Sequence, residues 1–170
     1  MKIYLIGFMG CGKSTIGDEL ADLLGFVFID LDEHIIEQQR RSIVEIFEED
    51  GEKKFREIER DALYQLSGMF NSVIATGGGT PCFHDNLEWM KATGMTIYLD
   101  TPAEILAERL KPEKQARPLL ADLNDGQLLE FIQNKIRERA SFYNDSEIIY
   151  HQKENNMPVA KDLAELYPFW

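Results

Sequence analysis

A three-layer α/β/α domain built on a parallel sheet is the fold class this sequence predicts. Three observations carry it. Short, continuous apolar runs recur along the chain; stretches with helical periodicity separate them; and the first run meets its helix at a glycine-rich turn.

The elements follow in order. Ile3–Ile6 is an unbroken apolar run, as a strand buried on both faces requires. From Ser14 onward Ile16, Leu20, Leu23 and Leu24 recur at helical spacing, and Gly25 closes the helix. Phe26–Ile29 reads as a second buried strand. Ser42-Ile43-Val44-Glu45 is a capping box that opens a helix, and a longer helix runs on to about Leu66. Ser72–Thr76 is a third strand, ending in Gly77-Gly78-Gly79, and Thr96–Leu99 is a fourth. Thr101-Pro102 starts another helix, with Thr101 as its cap and Pro102 in the first helical position. Asp125–Tyr143 is helical, Glu147–Tyr150 is a short fifth strand, and the tail from Pro158 is a last helix. Residues 111–124 break the alternation. Lys111-Pro112-Glu113-Lys114-Gln115-Ala116-Arg117-Pro118 combines two prolines with three cations and shows no periodicity, which reads as a mobile lid rather than a plain connection.

Bulk properties bound the function. The 170 residues make one domain, residues 1–170, with no repeats. Hydrophobic residues are 44% and charged residues 28%, an ordinary soluble balance. A net charge of −12 argues against nucleic acid as partner and requires that any bound anion be met by locally concentrated Arg and Lys. Cys11 and Cys82 are too few for a disulfide framework or a zinc site, which suits a reducing cytoplasm. The apolar start ends in Lys13-Ser14-Thr15 rather than at a small-residue cleavage site, so it is not read as a signal peptide. No apolar run reaches membrane-spanning length. A monomer is expected.

Gly7-Phe8-Met9-Gly10-Cys11-Gly12-Lys13-Ser14 matches the phosphate-loop pattern between a strand and a helix. Glycines let backbone N–H groups turn inward around phosphates, Lys13 reaches the β- and γ-phosphates, and the Ser14 hydroxyl ligates Mg²⁺. Cys11 reads as a small filler within this loop. The chemistry is therefore that of an ATP-dependent kinase.

Ligands of open parallel sheets bind beyond the carboxyl ends of the strands, where three further features fall. In Asp30-Leu31-Asp32 the carboxylates are two apart and would share a face on an extended segment. One would hold Mg²⁺ through water while the other accepts the acceptor hydroxyl's proton; alternatively Asp32 caps a helix beginning at Glu33. Gly77-Gly78-Gly79 permits close backbone approach to a ligand, or is a plain turn. Arg56, with Glu59 one turn on, Arg117 and Arg139 are cations placed near these features, each by itself as readily a solvated surface residue.

Taken together, Gly7–Thr15, Asp30-x-Asp32, Phe55-Arg56-x-x-Glu59, Gly77–Gly79, Arg117-Pro118-Leu119 and Arg139-x-x-x-Tyr143 come in the order and approximate spacing of shikimate kinases. The resemblance spans Ile3 to about Tyr143. It implies a five-stranded parallel sheet of the nucleoside-monophosphate-kinase type, ATP and Mg²⁺ as cofactors, and shikimate as the substrate phosphorylated on its 3-hydroxyl. It further implies that Gly10, Cys11, Gly12, Lys13, Ser14 and Thr15 cradle the nucleotide and that Ser14 and Asp30 serve the magnesium. Arg56 and Arg139 would grip the shikimate carboxylate, Asp32 the reacting hydroxyl side, and Gly78 and Gly79 would offer backbone contacts. Phe47 and Phe55 would form the apolar wall, and Arg117 would swing in on the transferring phosphoryl group. The segment from Arg109 to Arg117 is one residue longer than the family pattern, which leaves Arg109 without an adenine role, and His151–Pro158 matches the adenine-side stretch weakly. A gluconate-type or other small-metabolite kinase on the same fold is the runner-up, and a non-catalytic nucleotide-binding regulatory module is the reading from another class.

Overall fold

A computed structural model describes residues 1–114 and 120–169. Five strands, β1 (Lys2–Ile6), β2 (Val27–Asp30), β3 (Ser72–Ala75), β4 (Met95–Asp100) and β5 (Ile148–His151), form one sheet in the order β2-β3-β1-β4-β5. Every neighbouring pair is parallel. Parallel neighbours require crossovers, and the helices supply them: α1 (Lys13–Leu24), α2 (Leu31–Gln39), α3 (Ile43–Gln65), α4 (Asn86–Thr93), α5 (Ala103–Leu110), α6 (Asp125–Tyr143) and α7 (Val159–Leu166).

The sheet's two faces build two cores, as the two-residue period of a strand dictates. Ile3 and Leu5 of β1, with Val73, Ile97 and Leu99, meet Leu20 of α1, Leu110 of α5, Ile132 of α6 and Leu163 of α7. Tyr4 and Ile6, with Ile74 and Tyr98, meet Leu31 and Ile35 of α2, Phe55 and Leu63 of α3, and Met90 of α4. Central β1 is buried along its whole length, which is why Ile3–Ile6 within it is apolar without alternation.

Several local expectations shift. β2 begins at Val27 rather than Phe26 and is half-exposed, because it lies at the sheet edge. Asp30, not Asp32, caps α2: its Oδ1 accepts from the Asp32 and Glu33 backbone N–H groups at 3.0 and 3.4 Å. Asp32 is thus in the first turn of a helix, not on an extended segment, and the argument from strand geometry fails. Pro102 occupies the cap position of α5, one residue later than expected, and Thr101 makes no cap bond; its hydroxyl donates to the Leu99 carbonyl instead. The Ser42–Glu45 capping box is present. α3 is kinked at Gly51, whose φ of 81° a side chain would resist, so its two halves carry Phe47 and Phe55-Arg56 separately. Helix α4 has no counterpart in the sequence reading.

Candidate active site

The site opens at the carboxyl ends of β1, β2 and β3, where the strand order reverses about β1. A cavity of about 690 Å³ lies there, lined by the phosphate loop, Asp30, Asp32 and the first two glycines after β3.

The phosphate loop owes its shape to positive φ at Gly10 (82°) and Gly12 (96°). Gly12 stands at the cap position of α1 without any side-chain cap, so the leading N–H groups of the helix keep no side-chain partner and face an anion site. Lys13, mostly buried, donates from Nζ to the Gly7 and Phe8 carbonyls at 2.8 and 3.1 Å, folded back along its own loop. Cys11 is fully buried and packs as filler. On the loop's outer side, the Gly10 carbonyl accepts from Arg109 Nη1 at 3.2 Å and the Cys11 carbonyl from Gln152 Nε2 at 2.8 Å. Arg109 is held further by Asn155, whose Oδ1 accepts from Nε at 3.0 Å.

Ser14 Oγ donates to Asp30 Oδ2 at 2.5 Å, so the hydroxyl of the loop and the carboxylate of β2 are already paired. Asp32 sits deeper. Burial, followed by the neighbouring charges of Asp30 and Glu59, pushes its carboxyl from 3.8 up to about 6, against the opposing pull of Lys13 and Arg56. A carboxylate poised there is ionised at neutral pH yet basic enough to take a proton.

The acceptor side is organised by Gly77, Gly78 and Gly79. None of the three has positive φ; at Gly77 and Gly79 there is no room for a side chain, whereas Gly78 leaves ordinary contact distance. A Cβ on Gly77 would lie 2.9 Å from Glu59 Oε1 and 3.3 Å from Asp32 Oδ1. One on Gly78 would lie 3.4 Å from both Arg139 Nη1 and the Met9 backbone nitrogen, and one on Gly79 only 2.7 Å from Arg56 Nη2. Left-handed backbone does not explain the triplet; crowding by site side chains accounts for Gly77 and Gly79.

Arg56 donates from Nη1 to Glu59 at 2.8 Å and from Nη2 to Glu52 at 3.3 Å, and its guanidinium lies 4.0 Å from the Phe83 ring centroid. Glu59, 1% exposed, is held on its other oxygen by the Thr80 hydroxyl at 2.6 Å. Phe47 and Phe55 are in ring contact at 4.5 Å across the α3 kink, with Arg56 against both. Arg139 Nη1 donates to the Gly78 carbonyl at 3.1 Å, and the Tyr143 hydroxyl donates to the same oxygen at 2.6 Å.

The expected residues gather around the glycine triplet, although Phe47, Phe55, Arg56, Gly79 and Arg139 are not among those lining the cavity. Arg117 lies outside the described residues, as do Pro118 and Leu119 of the lid. Cys11 lines no part of the cavity with its side chain. Conversely, Arg109, Gln152, Asn155 and Met157 also line the cavity, although Arg109 and the His151–Pro158 stretch carry no assignment from the sequence. Thr80 and Tyr143 were not singled out for the bonds they make.

Comparison with known proteins gives the same direction. The family model for shikimate kinase matches residues 9–167. A shikimate kinase of Bacteroides thetaiotaomicron is 42% identical over 154 residues, covering 91% of this chain and 88% of that protein. A crystal structure of shikimate kinase from Bacteroides thetaiotaomicron superposes with a TM-score of 0.93 at 39% identity, covering 99% of this chain and 98% of the other. Shikimate kinase from Acinetobacter baumannii, solved in complex with shikimate, gives a TM-score of 0.80 at 38% identity over 98% of this chain and 90% of that one.

Proposed function

This chain belongs to the shikimate kinase family, and from that premise we propose how its residues divide the work. The reaction is ATP-dependent phosphorylation of the 3-hydroxyl of shikimate. The observation that carries the assignment of roles is the glycine triplet. A Cβ added at its three successive positions would meet the phosphate loop, Asp32, Arg56 and Arg139. Donor and acceptor sites therefore share one wall.

On this reading the N–H groups of Gly10–Thr15 and the N-terminus of α1 cradle the triphosphate, and Lys13 leaves the Gly7 and Phe8 carbonyls for the β- and γ-phosphate oxygens. Arg109, its guanidinium fixed by Gly10, Gln152 and Asn155, offers its flat face to the base. Arg56 and Arg139 bind the carboxylate of shikimate through charge-assisted bonds, Phe47 and Phe55 wall the ring, and Gly78 and Gly79 contact it with backbone. Asp32 orients the 3-hydroxyl and accepts its proton as the phosphoryl group moves in line. Arg117 and the segment 111–124 close over the transferring group and exclude water.

Magnesium fits the residues present. Ser14 Oγ and the Asp30 carboxylate are hard oxygen donors already side by side. Among the described residues no group of three or more His, Cys, Asp or Glu forms a cage, so nucleotide phosphates and water would complete the coordination. The ion would neutralise charge on the phosphates. We also take the protein to be a cytoplasmic monomer with no nucleic-acid partner, a reading that rests on composition; among the described residues no helix is long and apolar enough to cross a membrane.

The test is a coupled ADP-release assay run with shikimate, with gluconate and without acceptor, alongside Lys13→Met. Turnover with shikimate alone, abolished in the folded variant, is the expected result. Turnover with gluconate, or near-wild-type turnover in Lys13→Met, would sink the assignment.

A further inference from the structure

Gln152, immediately after β5, is 2% exposed, and the roles above use only the hold of its amide oxygen on Arg109. Burying a primary amide costs free energy unless its polar atoms find partners, and here they find two from different parts of the site. Nε2 donates to the Cys11 carbonyl at 2.8 Å. Oε1 accepts from Arg109 Nη1 and Nη2 at 3.4 and 3.3 Å. The Gln152 backbone N–H donates to the Asp100 carbonyl at 2.8 Å, which ties the residue to the end of β4.

The Cys11 contact has a geometric consequence. In a planar trans peptide the C=O and the following N–H point in opposite directions. Drawing the Cys11 carbonyl outward onto Gln152 turns the Gly12 N–H inward, to the side of the loop that faces the phosphates. Gly12, at φ 96°, has no side chain to fix its own orientation. The same amide oxygen holds the plane of Arg109, which cannot stack on a base if it is free to rotate.

We propose that Gln152 is a positioning residue that sets the phosphate loop and Arg109 from a single amide, so that affinity for the phosphates and affinity for the base are built on one side chain. This rests on the nucleotide-site reading given above. Only a group with both a donor and an acceptor meets the requirement. Glu keeps the acceptor for Arg109 but sets an anion against the Cys11 carbonyl, and Met keeps the bulk but offers neither bond.

The experiment is calorimetric titration of wild type, Gln152→Met and Gln152→Glu with ATP and with inorganic tripolyphosphate, which has no base, together with the steady-state KM for shikimate. Gln152→Met is expected to bind tripolyphosphate about tenfold more weakly, the scale of one lost hydrogen bond with an orphaned buried partner, and to lose a further severalfold in ATP. Gln152→Glu is expected to lose tripolyphosphate affinity while keeping the wild-type ratio of ATP to tripolyphosphate affinity. Neutral Gln152→Met excludes charge repulsion as the cause, and an unchanged shikimate KM in both variants shows the fold intact. Tripolyphosphate affinity of Gln152→Met within about twofold of wild type would overturn the proposal and leave the nucleotide reading standing. A shikimate KM that rises as much as the ATP affinity falls would mark Gln152 as general packing, and overturn it too. A wild-type protein that binds neither ATP nor tripolyphosphate would overturn both.

Discussion

Replacing Asp32 by Asn should stabilise the unliganded protein while crippling it. The carboxyl is raised from 3.8 to about 6, so between those two values the folded state holds a proton that the unfolded state has released. Stability therefore falls as pH rises through that window, and the penalty is complete above about pH 6 and absent below about pH 4. At about 1.36 kcal/mol per pKa unit, the rise from 3.8 to about 6 corresponds to ~3 kcal/mol. Asn cannot ionise and escapes that cost. It also gives up an anion in the first turn of α2, which returns about 0.3–1 kcal/mol and leaves ~2 kcal/mol of net gain. For a chain of this size that is a Tm increase on the order of 4–8 °C. Urea unfolding of the unliganded protein at pH 8 and pH 4 measures it directly: the variant should lead at pH 8 and lose its lead at pH 4. The same substitution should lower kcat by about 10²–10⁴-fold and remove an acidic limb near pH 6 from the kcat/KM profile. A stability gain independent of pH, or none, would refute the claim that Asp32 is held as a strained anion. Unchanged kcat with weaker shikimate binding would reduce it to a binding residue.

Arg139→Ala should raise the shikimate KM by about 10–100-fold, the worth of a charge-assisted pair, and leave the ATP KM nearly unmoved; steady-state kinetics in both substrates decide, and an equal effect on both would remove the carboxylate role. Gly79→Ala, whose methyl would press on the Arg56 guanidinium at 2.7 Å while the backbone φ of −97° is unstrained, should act like an Arg56 defect: a higher shikimate KM, an intact Tm and an unchanged ATP KM. On the proposed role, in which Arg117 meets the transferring phosphoryl group only on closure, Arg117→Ala should slow turnover strongly while nucleotide binding weakens only modestly. Comparable losses in ATP affinity and kcat would contradict that. Amide exchange over residues 111–124, with and without both ligands, should show protection only when both are bound; equal protection would count against a lid.

The chemistry was more legible in the sequence than the scaffolding that aims it. Gly7–Ser14 could be read because one short segment must contain everything that wraps a phosphate. Arg56 and Glu59 could be paired because a helix brings residues three apart together, and they meet at 2.8 Å. The Arg109 platform could not be read: its partners stand 46 and 43 positions away, and nothing local in Gln152 or Asn155 marks them. The same holds for the Tyr143 hydroxyl and the Gly78 carbonyl, 65 positions apart. The Asp-x-Asp reading chose the wrong residue as cap because an aspartate's neighbours do not say whether the helix begins before or after it. β2 was expected to be buried because an apolar run looks alike at the centre of a sheet and at its edge. Helix α4 is no shorter than α5 and α7, but it lacks the proline that stands at the start of each of those and marks it in the sequence.

That edge position of β2 bears on how the molecule keeps to itself. The outermost strands of the sheet, β2 and β5, are each only four residues long, and short edge strands are one way natural sheets discourage a neighbouring molecule from adding its own strand. β2 is further limited at its end, because Asp30 spends one carboxylate oxygen on the cap of α2 and the other on Ser14. A longer, more adhesive edge would have to pull this aspartate away from Ser14 and from the cap of α2. The short edge of β2 and the bond from Ser14 to Asp30 thus meet in one residue, so lengthening β2 by design would disturb the proposed site while exposing more edge.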